Sequence, residues 1–310
     1  MLNPTDQSFA NPEAERDLPA EIAAARAEIA RLNSELDDLR ILYEATIEHG
    51  EAVEDQLAES NILLQQTQHR LNQELAEAEN YIIGILPAPR TETPRTDWHF
   101  VPSTELGGDS FGYHAVDADH LAIYLIDVCG HGVGAALLSV TVINVLRSAA
   151  LTHTDFCDPA AVLGALNETF PMEKQNEMYF TIWYGVYQQS TRRLRYASGG
   201  HPPALLLHTA GDGARQAQPL ATSGMAIGVM PGAYYHSATT DPVSGDRLLV
   251  LSDGVYEIEK APGVPLAFDE FIAFIITPDG DDPERIFHWI KSHTELAALP
   301  DDFTLLRLMF

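Results

Sequence analysis

The sequence predicts an α+β protein in two unequal parts, a long coiled-coil helix followed by a sandwich of antiparallel β-sheets flanked by α-helices. Three observations lead there. Residues 20–86 contain no proline and only two glycines, Gly50 and Gly84, and their apolar residues follow a 3-4 spacing. Beyond them the texture changes to short apolar runs in hairpin pairs, such as "YFTIWYGVYQQSTRRLRYAS". Helical patterns interrupt these hairpins without the strand-helix-strand alternation of a parallel sheet.

Taken in order, residues 1–18 carry no basic and apolar leader and are expected to be disordered. Over 19–86 one heptad frame holds Ile22, Ala25, Ile29, Leu32, Leu36, Leu39, Tyr43, Val53, Leu57, Leu64, Leu71, Ala78, Tyr81 and Ile85. So narrow a seam with acidic flanks is best covered by a second copy, which predicts a homodimer through a regulatory coiled coil. The alternative is an amphipathic helix lying on its own catalytic domain. The frame weakens at Thr46, Gly50, Thr67 and Glu74, so a bend or stutter is expected near 46–50. Pro87 and Pro89 end the helix and open a linker, 87–97. In the domain that follows, 98–310, strands are predicted at 98–104, 111–117, 121–128, 179–187, 193–198, 203–208, 233–240, 246–252 and 303–309. Helices are predicted at 133–151, 158–170, 267–276 and 283–296.

The 310 residues carry 45 acidic against 18 basic side chains, a formal charge of −27. That balance disfavours nucleic acid and anionic membrane as partners and favours proteins or cations. Two cysteines, Cys129 and Cys157, make neither a disulfide framework nor a zinc set. With no long apolar span, a cytoplasmic protein is expected.

"LIDVCGHGVGAALLS" (125–139) runs from an apolar strand through glycines into a helix. A dinucleotide site would need a second parallel strand with an acidic residue about 20 residues on. Another helix, opened by Asp158 and Pro159, stands there instead, and Asp127 would face the pyrophosphate. A carboxylate at a strand end beside glycines suits a hard cation held by oxygen. The arrangement recurs at Asp109 in "STELGGDSFGYH", at Asp253 in "DRLLVLSDGVYE" and at Asp301 and Asp302 in "LPDDFTLLRLMF". One such residue is a turn aspartate; four beside long apolar runs could converge only around a cation.

"ELGGDSF", "LIDVCGHGVGAALLS", "MYFTIWYGVY", "YASGGHPPALLL", "LLVLSDGVYE" and "DDFTLLRL" occur in this order and resemble the PPM (type 2C) serine/threonine phosphatases, within them the bacterial SpoIIE-like branch. The resemblance covers roughly residues 85–310. It implies a PPM-type sandwich with two Mn²⁺ or Mg²⁺ ions that activate water for attack on a phosphoserine or phosphothreonine phosphorus. Carried over, Asp109, Asp127, the Val128 carbonyl, Asp253 and Asp301 hold the metals, with Asp127 bridging both ions and Asp302 a neighbour. It also implies a phosphoprotein substrate, a STAS-type anti-sigma-factor antagonist, and an upstream regulatory protein docking on the coiled coil. Gly112 stands where the branch pattern has a second acid. No residue matches the larger family's phosphate-binding arginine or general-acid histidine: Arg90 and Arg95 fall in the linker, His131 suits a turn before a helix, and His201 in "GGHPP" suits a structural turn. Gly130, Gly132 and Gly134 are packing and turn residues. "STRRLR" is the one visible basic cluster and fits a solvated hairpin face better than a docking patch. A coiled-coil scaffold with a silent domain and a hydrolase of small phosphoesters remain the alternatives.

Overall fold

The computed structural model describes residues 18–103, 106–211, 213–261, 263–294 and 299–310. The segment expected to be disordered lies outside them except for Leu18. The chain divides into two compact units, Met1–Asn72 and Gln73–Phe310, so the boundary falls inside the first helix rather than after it.

Helix α1, Leu18–Ile85, runs unbroken through Thr46 and Gly50. The Thr46 and Thr67 hydroxyls donate to the Leu42 and Leu63 carbonyls (2.7 and 2.8 Å), so both weak frame positions satisfy their polar atoms within the helix. No residue of α1 is buried. Seam residues such as Leu36, Leu57 and Leu64 each leave 60% or more of their surface to solvent.

The second unit continues with β1 (Arg95–Val101), which begins inside the stretch expected as linker, β2 (Ser110–Ala115), β3 (His120–Val128), α2 (Val133–Arg147) and α3 (Pro159–Thr169). Next come β4 (Phe180–Gln188), β5 (Arg193–Gly199), β6 (Ala204–Thr209), β7 (Arg215–Leu220), β8 (Ala238–Thr240) and β9 (Arg247–Leu251). A small hairpin of β10 (Glu259–Ala261) and β11 (Val264–Pro265), then α4 (Phe268–Ile275), α5 (Pro283–Ser292) and β12 (Phe303–Met309) complete it. Two five-stranded sheets form, ordered β1-β12-β9-β6-β7 and β2-β3-β4-β5-β8, and every strand pair in them is antiparallel.

The period-2 geometry of a strand explains the four layers. From β3, Leu121, Ile123 and Leu125 point between the sheets, where they meet Leu248 and Val250 of β9 and Leu306 and Leu308 of β12. The alternate residues Ala122, Tyr124 and Ile126 face outward under Leu138, Val142, Leu163 and Leu166 of α2 and α3. On the opposite side Leu249, Leu251 and Leu305 pack under Phe271, Ile275, Ile286 and Ile290 of α4 and α5. Both faces of each central strand are buried, and for that reason "LAIYLI" and "LLVL" read as continuous apolar runs rather than alternating ones.

Three differences from the predicted elements have physical reasons. β7 is a polar edge strand carrying Pro219, so it shows neither alternation nor a β-rich composition. Of the predicted strand 233–240 only Ala238–Thr240 pairs, against Leu194–Tyr196; Tyr235 instead turns inward, its hydroxyl donating to Asn167 Oδ1 (3.4 Å). α2 ends at Arg147, where Ser148 caps it.

Gly112 lies opposite Tyr124 in the β2–β3 ladder. A Cβ there would come within 2.5 Å of the phenol ring, which is fully buried and stacks on Tyr184. Glycine at this position is thus a packing matter: the aromatic occupies the space a side chain would need. Gly112→Ala is expected to lower stability by about 1–3 kcal/mol in urea unfolding, with part of the loss recovered when Tyr124→Leu is added. An unchanged unfolding midpoint in Gly112→Ala would contradict this packing.

Candidate metal centre and active site

The antiparallel pairings bring four strand ends to one edge of the sandwich. Asp109 immediately precedes β2 and Asp127 ends its neighbour β3, while Asp253 follows β9 and Asp301 precedes its neighbour β12. Between them opens a cleft of about 440 Å³ lined by Asp127, Val128, Gly130, His131, Asp253 and Asp301, with Ser103 and Pro300 at its rim. Asp109 is buried, 3% exposed, and does not line the cleft, although its charge acts on that of Asp127. Asp127, Val128, Asp253 and Asp301 are therefore brought to one cleft, and none of its described lining residues is Arg or Lys. Arg90 is turned into its own segment, its amide on Thr96 Oγ1 (2.8 Å) and its Nε toward the Pro94 carbonyl (3.5 Å). In "STRRLR", Arg193 pairs with Asp241 (3.0 Å) and Arg195 with Asp158 (4.0 Å), as a hairpin face does.

Asp302, one residue beyond Asp301, organises the cleft floor. Its carboxylate accepts the amides of Ser103 (2.8 Å) and Asp109 (3.2 Å), and its own amide donates to Asp301 Oδ1 (2.8 Å). Thr304 donates its hydroxyl to Asp109 Oδ2 (2.6 Å), and the Ser252 hydroxyl donates to the Asp302 carbonyl (3.2 Å). The sequence signal for Ser252 and Thr304 is only their nearness to the aspartates in "LSDG" and "DDFT", and Ser103 has none. A Cβ at Gly107 would overlap the Asp302 carboxylate, and one at Gly108 would lie 2.4 Å from the Val128 carbonyl oxygen. The paired glycines of "GGD" thus leave both groups room.

His201 belongs to this end of the fold but not to the cleft. It is buried, its Nδ1 is 2.8 Å from the Thr181 hydroxyl, and its amide and carbonyl both bond the Ser198 hydroxyl (3.1 and 2.8 Å). Thr181 is the cross-strand partner of Asp127. Burial pushes the His201 pKa down to about 3, which keeps the ring neutral.

The glycine loop spends its amides internally: Cys129 donates to the Tyr179 carbonyl (2.9 Å) and Gly132 to Leu106 (2.7 Å). Gly130 and Gly132 take positive φ (88° and 89°), a turn geometry that needs glycine. Gly134 is inside α2, and α2 leads to α3 rather than to a parallel strand.

Electrostatically the cleft is strained. Burial first, then the charges of Asp253, Asp301 and Asp302, push the Asp127 carboxyl up to about 7. Asp109 is held well above the usual carboxylate range by burial and by Asp127 and Asp302, against the lowering effect of the Thr304 hydroxyl. Burial, Asp301 and Glu257 raise Asp253. A set of oxygen donors whose charges oppose one another, beside a carbonyl kept open by Gly108, fits hard divalent cations. A second group of donors lies elsewhere: Asp117, His120 and Cys157 each place one ligand atom within 4.8 Å of the others.

The strain has a measurable sign. Asp127 has a folded pKa above its unfolded value near 4, so its contribution is fully present below about pH 4 and is lost as pH rises through about 7. His201 acts in the opposite sense, costing stability as pH falls below about 6.5, but equally in wild type and variant. Without divalent cations, Asp127→Asn is expected to be more stable than wild type at pH 8, by about 1–4 kcal/mol, with the difference vanishing near pH 4. Urea unfolding in chelator at both pH values checks this, and a less stable variant at pH 8 would refute it.

Comparison with known proteins agrees with this architecture. The chain is 26% identical over 210 residues to phosphoserine phosphatase RsbP of Bacillus subtilis, covering 66% of this chain and 50% of that protein. It is 26% identical over 267 residues to phosphoserine phosphatase RsbU of the same organism, covering 83% and 76%. The chain thus spans about half the length of RsbP. The SiaA-PP2C domain of Pseudomonas aeruginosa superposes with a TM-score of 0.66 at 20% identity, over 79% of this chain and 98% of that one, and so shares the fold. The model of the family "Stage II sporulation protein E (SpoIIE)" matches residues 117–310, more than half of the chain. On that match the chain belongs to the SpoIIE family, and its sandwich has the fold of the SiaA-PP2C domain.

Proposed function

We propose that the protein is a Mn²⁺- or Mg²⁺-dependent phosphatase that releases phosphate from serine or threonine of a partner signalling protein, a STAS-type anti-sigma-factor antagonist. The observation that carries this is a cleft lined by Asp127, Asp253 and Asp301 and strained by like charge, with buried Asp109 acting on Asp127. In this reading those four carboxylates and the Val128 carbonyl hold two cations. Bound there, the cations supply an activated water and offset charge on the phosphoryl oxygens. Asp302, whose oxygens are engaged by the Ser103 and Asp109 amides, positions the set rather than joining it. Phosphoserine is favoured because RsbP and RsbU are both named phosphoserine phosphatases.

Control would enter through the N-terminal helix. Its exposed heptad seam supports pairing with a second copy, with an upstream regulatory protein acting on that pair. Within the second unit, the last turn of α1 is tied to the catalytic layers. Arg147 at the end of α2 donates to the Ile85 carbonyl (2.8 Å), Trp98 donates to Pro87 (3.0 Å), and the Tyr113 hydroxyl donates to Ala88 (2.8 Å). Because α2 is joined to Asp127 and Val128 by the short loop 129–132, a shift at Ile85 would reach the cleft through one helix and that loop.

The purified protein is expected to hydrolyse an aryl phosphate only with Mn²⁺ or Mg²⁺, and Asp127→Asn or Asp253→Asn to lower the rate by about 10² or more. Wild-type activity in Asp127→Asn would dismiss the cleft. An Asp301→Asn variant should retain a phospho-STAS protein from the source cell's phosphoproteome. Turnover of small phosphoesters alone would make the protein a hydrolase of those compounds, and no turnover of any substrate would leave a scaffold.

Light scattering should find the full chain dimeric at micromolar concentration and a chain beginning at Gln73 monomeric. A monomeric full chain would remove the coiled-coil reading.

A further inference from the structure

We propose that Asp117, His120 and Cys157 form a second cation site, separate from the acidic cleft, that takes a borderline-soft divalent ion such as Zn²⁺. Asp117 lies in the turn between β2 and β3, His120 opens β3, and Cys157 lies in the connection between α2 and α3. The fold nonetheless brings a carboxylate oxygen, an imidazole nitrogen and a sulfur within 4.8 Å of one another. No described donor outside this group combines these three chemistries in that radius.

Donor chemistry separates the two sites. Mg²⁺ and Mn²⁺ prefer oxygen, which is all the cleft carboxylates and the Val128 carbonyl offer. Zn²⁺ accepts carboxylate, imidazole and thiolate together, and three protein ligands leave a fourth position for water. The partial exposure of His120 and Cys157 gives an ion a way in from solvent.

The donors are held rather than loose. Asp117 Oδ1 accepts the amides of Asp119 (2.7 Å) and His120 (2.8 Å), and its two oxygens each lie 2.9 Å from His120 Nδ1, which fixes the ring against the carboxylate. The Cys157 amide donates to Asp155 Oδ1 (2.9 Å). Its neighbour Phe156 is buried under the outer face of the β3 sheet, and the Phe156 carbonyl accepts the hydroxyl of buried Tyr184 (3.0 Å). Asp119 is no competitor, since Gln188 and Ser190 engage its oxygens.

A dication would take the place of the thiol proton, which is released to solvent as the sulfur becomes a ligand. Occupancy would tie the loop after α2 to the β2–β3 turn and so brace α2 near the end where Arg147 meets Ile85.

The test uses the full-length protein with Mg²⁺ in excess, so that oxygen sites are filled, and Co²⁺ as a spectroscopic substitute for Zn²⁺. One equivalent of Co²⁺ is expected to give a thiolate-to-cobalt charge-transfer band in the near ultraviolet, which Zn²⁺ abolishes on addition. The band should be absent in Cys157→Ser and persist in Cys129→Ser and Asp127→Asn, and His120→Ala should weaken Zn²⁺ binding at least tenfold. Circular dichroism should show the same fold in each variant. No thiolate band in the wild type, or one that survives Cys157→Ser or disappears in Cys129→Ser, would overturn the site.

Discussion

The two sheets are locked together at the cleft by one buried carboxylate. Asp302, just before β12, takes the amides of Ser103, which follows β1 of its own sheet, and of Asp109, which precedes β2 of the other. Through Thr304 and Ser252 the same corner holds the Asp109 carboxylate and the end of β9. Removing Asp302 would leave the buried Asp109 amide and the half-buried Ser103 amide without partners, so the geometry of the acidic group depends on a residue that need not itself touch a cation.

That lock explains how like charges are tolerated. The carboxylates raise one another's pKa, which is a cost to the folded state. The cost is borne by the four-layer core, in which Leu, Ile and Val side chains of both central strand pairs are wholly buried. Cation binding would reverse the sign of the interaction, so function and apo stability pull in opposite directions at Asp127. His201 contributes on the neutral side, filling the crossing from β5 to β6 with a ring that bonds Thr181 behind Asp127.

The connection between helix and catalytic domain follows similar logic. Pro87 and Pro89 stop α1, and the carbonyls of Ile85, Pro87 and Ala88 are then taken by Arg147, Trp98 and Tyr113. Leu86 is buried between the sheets. A helix end that would otherwise be a frayed linker is thereby part of the core.

Read alone, the sequence determined what depends on local periodicity and composition. The absence of proline and the 3-4 spacing marked α1. The apolar runs 121–126 and 248–251 marked central strands, and aspartates at strand ends beside glycines marked the candidate donors. It did not reveal β7, because a polar edge strand buries too little to leave a pattern, or the β10–β11 hairpin, which is only a few residues long. Tertiary structure alone decided that Asp302 is buried while Asp301 faces the cleft, since both precede β12 and only the arrival of the Ser103 and Asp109 amides at Asp302 says which carboxylate is covered. It alone brought Cys157 to Asp117 and His120, because that meeting is set by how α2 and α3 fold back over the sheet, a long-range constraint with no trace in the spacing of the residues themselves.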